Sequence, residues 1–246
     1  VNPFTVQEIA VALKGTNKPV LVKNPVNPDL ALWIGALERL LGQDVKNLGV
    51  IHRGFSSYQK TKYRNLPNWQ IALDFKHQYP NIPMFVDPSH ICGRRDLLSD
   101  VTQEAFNVGY EGAMIESHCN PDAAWSDAAQ QITPEVLAEM LGNLQIRNSD
   151  ISGFDEEMGK HRALISDIDF QLIELLSNRM KISEKIGALK KENNIAIFQP
   201  DRWKVIAEYA SARAEESGMG KDFIEKVFKA IHEESIEVQN NIMIDK

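Results

Sequence analysis

The chain has 246 residues, 43% of them hydrophobic, and a formal net charge of −7. That length holds one large or two modest domains, and that apolar content supports a packed core rather than disorder. The acidic balance argues against nucleic acid as the main partner. Two cysteines, Cys92 and Cys119, make no disulfide framework and point to a reducing, cytoplasmic setting. No run approaches the roughly 20 apolar residues of a membrane span. The opening VNPFTVQEIA carries neither a signal peptide nor an initiating Met, and reads as the start of a fragment or of a trimmed chain.

In chain order, a helix is expected over about 5–14. Four short runs rich in β-branched residues follow: KPVLVKN (18–24), NLGVIHRG (47–54), PMFVDPSH (83–90) and GAMIESH (112–118). Such runs are expected of strands buried on both faces. Helical patterns alternate with them: PDLALWIGALERLLG, NWQIALDFKHQY, SDVTQEAFNVG and, last, PEVLAEMLGNL. A repeat of about 30 residues is the βα unit of parallel α/β folds.

Polar residues close these strand-like runs: Lys23, Arg53, His90 and Glu116. In parallel α/β folds ligands gather at that edge. His90 and Glu116, with Asp127 in the loop beyond, offer one imidazole and two carboxylates, a set suited to a divalent metal. Lys23 and Arg53 suit a phosphate or carboxylate at the same opening. Arg64, in KTKYRN, has two readings: a contact to a second phosphate, or a solvated loop cation.

Residues 143–156, NLQIRNSDISGFDE, are polar and read as a linker between a domain over 1–142 and another over 157–246. The second is helical throughout. Leu164, Ile168, Leu172, Leu175, Ile182, Ile186 and Leu189 recur at three, four or seven positions, giving one helix from about 157 to 193. That is long for a globular domain and favours packing against a partner chain. Two more helices are expected over 200–217, with Pro200 in the first turn, and over 220–243.

These helices carry a sparse polar set: Arg162, Arg179, Lys190, Arg202, Ser235 and Gln239. Arg179 and Lys190 lie about three turns and roughly 16 Å apart, on nearly one face. Ser235 and Gln239 are an i, i+4 pair and also share a face. Two cations and such a pair facing one cavity suit a small, doubly negative ligand. Arg162 lies about 25 Å from Arg179 along the same helix and turned away from it. If it serves such a cavity, the cavity belongs to a second subunit.

The stretches HRALISDIDFQLIELLSNR, KIGALKK, QPDRW and ESIEVQ, in that order, resemble the all-helical chorismate mutase family. The resemblance implies a three-helix domain forming an intertwined homodimer that converts chorismate to prephenate without a cofactor. It places Arg179 and Arg162 of the partner subunit on the substrate carboxylates. Lys190 takes a carboxylate and the ether oxygen, Gln239 takes the ether oxygen, and Arg202 and Ser235 complete the polar wall. Gln199 and Trp203 stand where some members carry acidic residues.

LVKNP, HRGF, DPSH, MIESH and SDAAQQIT, in that order, resemble 3-deoxy-D-arabino-heptulosonate-7-phosphate (DAHP) synthase. That family is a (β/α)₈ TIM barrel condensing phosphoenolpyruvate with erythrose 4-phosphate, using a divalent metal, manganese foremost. The resemblance implies that Lys23 and Arg53 contact phosphoenolpyruvate and that His90, Glu116 and Asp127 bind the metal. Four strands match only the second half of such a barrel. The first half normally supplies a cysteine ligand and most of the sugar-phosphate site, so this chain alone is expected not to make the heptulosonate. The fold expected is therefore α/β plus all-α, and the function that of a bifunctional shikimate-pathway enzyme. The helical domain has two alternative roles, as a prephenate- or chorismate-binding regulator of the synthase or as a pure dimerisation module.

Overall fold

A computed structural model describes residues 2–58, 60–147 and 153–244. The expected linker 143–156 falls partly outside them, at 148–152. The chain divides into two compact units, Val1–Ile151 and Ser152–Lys246.

The first unit alternates helices and strands: α1 (Pro3–Leu13), β1 (Val20–Lys23), α2 (Leu30–Leu41), β2 (Leu48–His52), α3 (Trp69–Gln78), β3 (Met84–Val86), α4 (Pro88–Cys92), α5 (Leu98–Asn107), β4 (Gly112–Ala113) and α6 (Pro134–Asn143). The four strands form one parallel sheet in the order β1-β2-β3-β4. Each strand pairs with its neighbour in sequence, with none of the reversal of order that marks a doubly wound sheet.

Period-2 alternation sorts the strand residues. Val20, Val22, Leu48, Val50, Met84 and Val86 pack into the main core with Trp33, Leu37, Phe75 and Val101 from the helices. Trp33 and Phe75 stack at 4.8 Å between ring centroids, and burying each such side chain stabilises by about 1.5–3 kcal/mol. The alternate residues, Leu21, Lys23, Gly49, Ile51, Phe85 and Asp87, therefore take the opposite face.

Side-chain caps set several helix starts. Asp29 accepts from Leu32 N at 3.1 Å, Asp87 from His90 N at 3.0 Å and Thr133 from Val136 N at 3.3 Å. The strands are shorter than the apolar runs suggest. In PMFVDPSH only Met84–Val86 is strand, because Asp87 caps α4 and Pro88 occupies its first turn. His90 thus sits on a one-turn helix, and Glu116 lies three residues beyond β4. Both differ from the strand ends expected of them.

Among the described residues the second unit has three helices: α7 (Asp155–Glu192), α8 (Pro200–Glu216) and α9 (Lys221–Ile244). Acidic residues Asp155, Glu156 and Glu157 open α7, and Lys190 and Lys191 close it, matching the helix dipole. Ala210 and Ala214 of α8 pack with Ile224 and Phe228 of α9. Gly187 lets α9 approach α7: a Cβ there would lie 3.1 Å from Gln239 Cγ. The apolar stripe of α7 is largely uncovered within one chain, with Leu164, Ile168, Leu172 and Leu175 all more than half exposed. No helix among the described residues is long and apolar enough to cross a membrane.

Candidate functional sites

In the first unit the site residues gather at the C-terminal edge of the sheet. Lys23 is the last residue of β1, and Arg53 directly follows β2. One ligand atom from each of His90, Glu116 and Asp127 lies within 4.8 Å of the others. That limit is the span of ligands on opposite sides of a cation with bonds of about 2.1–2.4 Å, so the set fits a hard divalent ion.

Asp87, 1% exposed, is the hub. Its carboxylate accepts from Lys23 Nζ at 2.8 Å and meets His90 Nδ1 at 2.9 Å. With Nδ1–H donating to Asp87, His90 keeps the Nε2 lone pair for a cation, the usual carboxylate support of a ligating imidazole. Glu116 Oε1 stands 3.5 Å from His90 Nδ1. Arg64 Nη1 donates to Asp127 Oδ1 at 2.7 Å, which holds the Asp127 carboxyl below its usual range. Arg64, its side chain half exposed, therefore ends on a carboxylate of the candidate metal set.

Arg53 is half-buried. Its backbone N donates to Asn24 Oδ1 at 2.7 Å, and burial pulls its guanidinium below the ordinary range, opposed by the charge of Asp87. Lys23, Arg53 and Arg64 thus surround Asp87 and the metal set, and can receive an anion that also meets a cation.

Asp87 and Gln130 were not singled out as site residues from sequence. Asp87 lies inside DPSH, where its capping role and its burial look alike. His52, adjacent to Arg53, points the other way: it is buried among Trp33, Phe55, Trp69 and Tyr110. Its Nε2 meets Pro67 O at 2.7 Å and its Nδ1 meets Tyr110 OH at 2.9 Å, so it serves the core.

In the second unit a cavity of about 370 Å³ is lined by Arg179, Lys190, Arg202, Ser235 and Gln239, together with Gln199, His232 and isoleucines. Among the described residues, no carboxylate lines it. Arg179 donates to Ser235 Oγ in a short contact and to Ile231 O at 3.5 Å. Lys190 Nζ donates to Ile197 O at 2.6 Å. Burial lowers both cations from their ordinary values, and Arg202 adds to the effect on Arg179. Gln239 Nε2 donates to Ser235 O at 3.1 Å, while its Oε1 is buried without a partner. Arg162, exposed on α7, does not line the cavity within this chain.

His232 is a further wall residue that the sequence reading did not single out. Its ring stacks on Trp203 at 4.4 Å, its Nε2 is buried without a partner, and burial, then Arg179, lowers its pKa. Its spacing was a usable signal, since it precedes Ser235 by three residues on the same helical face.

Comparison with known proteins follows the same division. Residues 5–151 match the model of the DAHP synthetase I family, and residues 161–240 match that of chorismate mutase type II. Phospho-2-dehydro-3-deoxyheptonate aldolase of Thermotoga maritima is 28% identical over 129 residues, 52% of this chain and 38% of that protein. The T-protein of Haemophilus influenzae is 28% identical over 87 residues, 35% of this chain and 23% of that protein. A truncated 3-deoxy-D-arabino-heptulosonate 7-phosphate synthase from T. maritima superposes with a TM-score of 0.52 at 23% identity, covering 65% of this chain and 58% of that one. The chain thus spans well under two thirds of the length of each.

Proposed function

The chain belongs to the DAHP synthetase I family, and from that premise we propose that the protein is a bifunctional enzyme of the shikimate pathway, located in the cytoplasm. The helical unit converts chorismate to prephenate. The intact protein also condenses phosphoenolpyruvate with erythrose 4-phosphate. The observation that carries the reading is a cavity lined by three cations, Arg179, Lys190 and Arg202, and by no carboxylate.

The rearrangement needs no nucleophile and no proton transfer. The site has to hold an extended dianion in a compact conformer and stabilise charge growing on the breaking ether oxygen. Arg179 grips one carboxylate, and Arg162 of the partner subunit grips the other. Lys190 donates to a carboxylate and to the ether oxygen, Gln239 donates to the ether oxygen, and Arg202 and Ser235 close the wall. The intertwined homodimer is supported by the exposed stripe of α7, which a second copy would bury.

Residues 1–142 are proposed as the second half of a (β/α)₈ barrel, 143–156 as the linker and 157–246 as the mutase domain. Sequential parallel pairing supports the half-barrel, and so does Leu21, 44% exposed on the face away from the helices. His90, Glu116 and Asp127 would hold a divalent cation, manganese by preference. When bound, it supplies Lewis acidity toward an aldehyde carbonyl. Lys23 and Arg53 hold the enol phosphate and offset its charge, and Arg64 reaches a second phosphate.

Loss of chorismate absorbance on adding the purified chain tests the mutase reading against Arg179→Ala. Indistinguishable rates for parent and variant would remove it. Heat of prephenate binding without turnover would assign the cavity to regulation instead.

A further inference from the structure

In the first unit, Glu116 of the candidate cation set and Arg64, which holds Asp127 of that set, meet at one buried amide. Gln130 is 1% exposed and closes the short 3-10 turn Ala128–Gln130. Its Nε2 donates to Glu116 Oε2 at 3.1 Å, and its Oε1 accepts from Arg64 Nη1 at 2.7 Å. The same Arg64 nitrogen reaches Asp127 Oδ1. The amide has only one workable orientation. A guanidinium can only donate and a carboxylate can only accept, so a flipped amide would face donor to donor and acceptor to acceptor.

Every part of this bridge is held in place. Gln130 N donates to Asp127 O at 3.0 Å, closing the turn that carries Asp127. Asp127 itself adopts a left-handed backbone, φ 49°, a conformation uncommon among non-glycine residues and most open to Asn and Asp. Gly93 clears the path of Arg64: a Cβ at that position would stand 2.6 Å from Arg64 Cβ. With Oε2 of Glu116 pinned by Gln130, Oε1 is the oxygen left facing His90.

We infer that Gln130 is a positioning residue for the cation set: its buried amide fixes the Glu116 carboxylate and, through Arg64, the Asp127 carboxylate at the separation a divalent ion needs. Gln130 does not itself ligate the ion. It removes the rotameric freedom that two carboxylates would otherwise lose on binding, as outer partners of metal ligands do. This inference rests on the metal reading proposed above.

The test is Mn²⁺ affinity, read from the electron paramagnetic resonance of free Mn²⁺, for the parent chain and Gln130→Met. Methionine keeps nearly the same length and volume but removes both hydrogen bonds. The expected result is about 10–100-fold weaker Mn²⁺ binding, measured well below the melting temperature of either protein. A purely structural role would lower the melting temperature and leave the affinity unchanged. Equal affinity in parent and variant overturns the inference alone. A parent that binds no Mn²⁺ removes the metal reading and this inference with it. Should Gln130→Met fail to fold, the assigned side-chain amide resonances of Gln130 in the parent give the answer. They shift in step with titrated Mg²⁺ if the amide positions the set, and resonances that stay put while Mg²⁺ binds overturn it.

Discussion

Lys23 and Arg64 of the sheet unit end on carboxylates of the same chain, Asp87 and Asp127. In the helical unit Arg179 and Lys190 end on a hydroxyl and on backbone carbonyls, and no carboxylate among the described residues lines their cavity. The first arrangement is close to balanced in charge before any ligand arrives. The second gathers like charges that only an anion can offset. Removing one member should therefore harm different things in the two places: stability where a buried partner is stranded, and ligand handling where a cation is lost from a set of cations.

The largest expected effect is Asp87→Ala. It removes the cap of α4 and the carboxylate's hydrogen bonds to His90 and to Lys23, whose side chain is 40% exposed, so unfolding by urea should show a loss of about 2–4 kcal/mol. A loss below about 1 kcal/mol, the scale of a surface ion pair, would erase the contrast. Next comes Arg179→Ala. It should lower kcat/KM for chorismate about 10²–10³-fold, on the scale of a lost charge-stabilising donor, while the melting temperature stays near the parent value. A melting temperature that collapses with the rate would make Arg179 structural.

Acid should act on the sheet unit through His52. Burial lowers its pKa from 6.5 to about 4. The folded unit keeps a neutral imidazole while the unfolded chain takes up a proton below 6.5. The stabilisation is therefore fully present above that pH and is lost as pH falls toward 4, by about 3 kcal/mol. Urea midpoints measured from pH 7 to 4.5 check this, and a flat profile for the sheet unit contradicts it. The smallest effect sharpens the comparison from the helical side. Prephenate at 100 times its dissociation constant should stabilise that unit by about 2.7 kcal/mol, read by calorimetry, and EDTA should leave the gain unchanged.

Much of both candidate sites was legible because their polar residues sit at repeating positions. Strand-end placement singled out Lys23, Arg53, His90 and Glu116, and helical spacing grouped Arg179 with Lys190 and Ser235 with Gln239. What escaped was the support around them. Asp87 reads as an ordinary cap until the fold brings Lys23, 64 residues away, onto it. Gln130 has no periodic signature, because its two partners come from different loops. His52 and Arg53 show the limit of reading types without faces: as neighbours at the end of β2 they point to opposite sides, one into the aromatic core and one to the site. The length of β3 was overstated because Asp87-Pro88 starts a helix inside what looks like a continuing strand.

The central claim is that each helical cavity is completed across two chains. The most direct measurement mixes Arg162→Ala and Arg179→Ala, each expected to be strongly impaired alone, under conditions that exchange subunits. With the two arginines supplied by different chains, random mixing leaves one intact site per mixed dimer and restores about a quarter of the parental mutase rate. A mixture no faster than the separate variants would contradict the account.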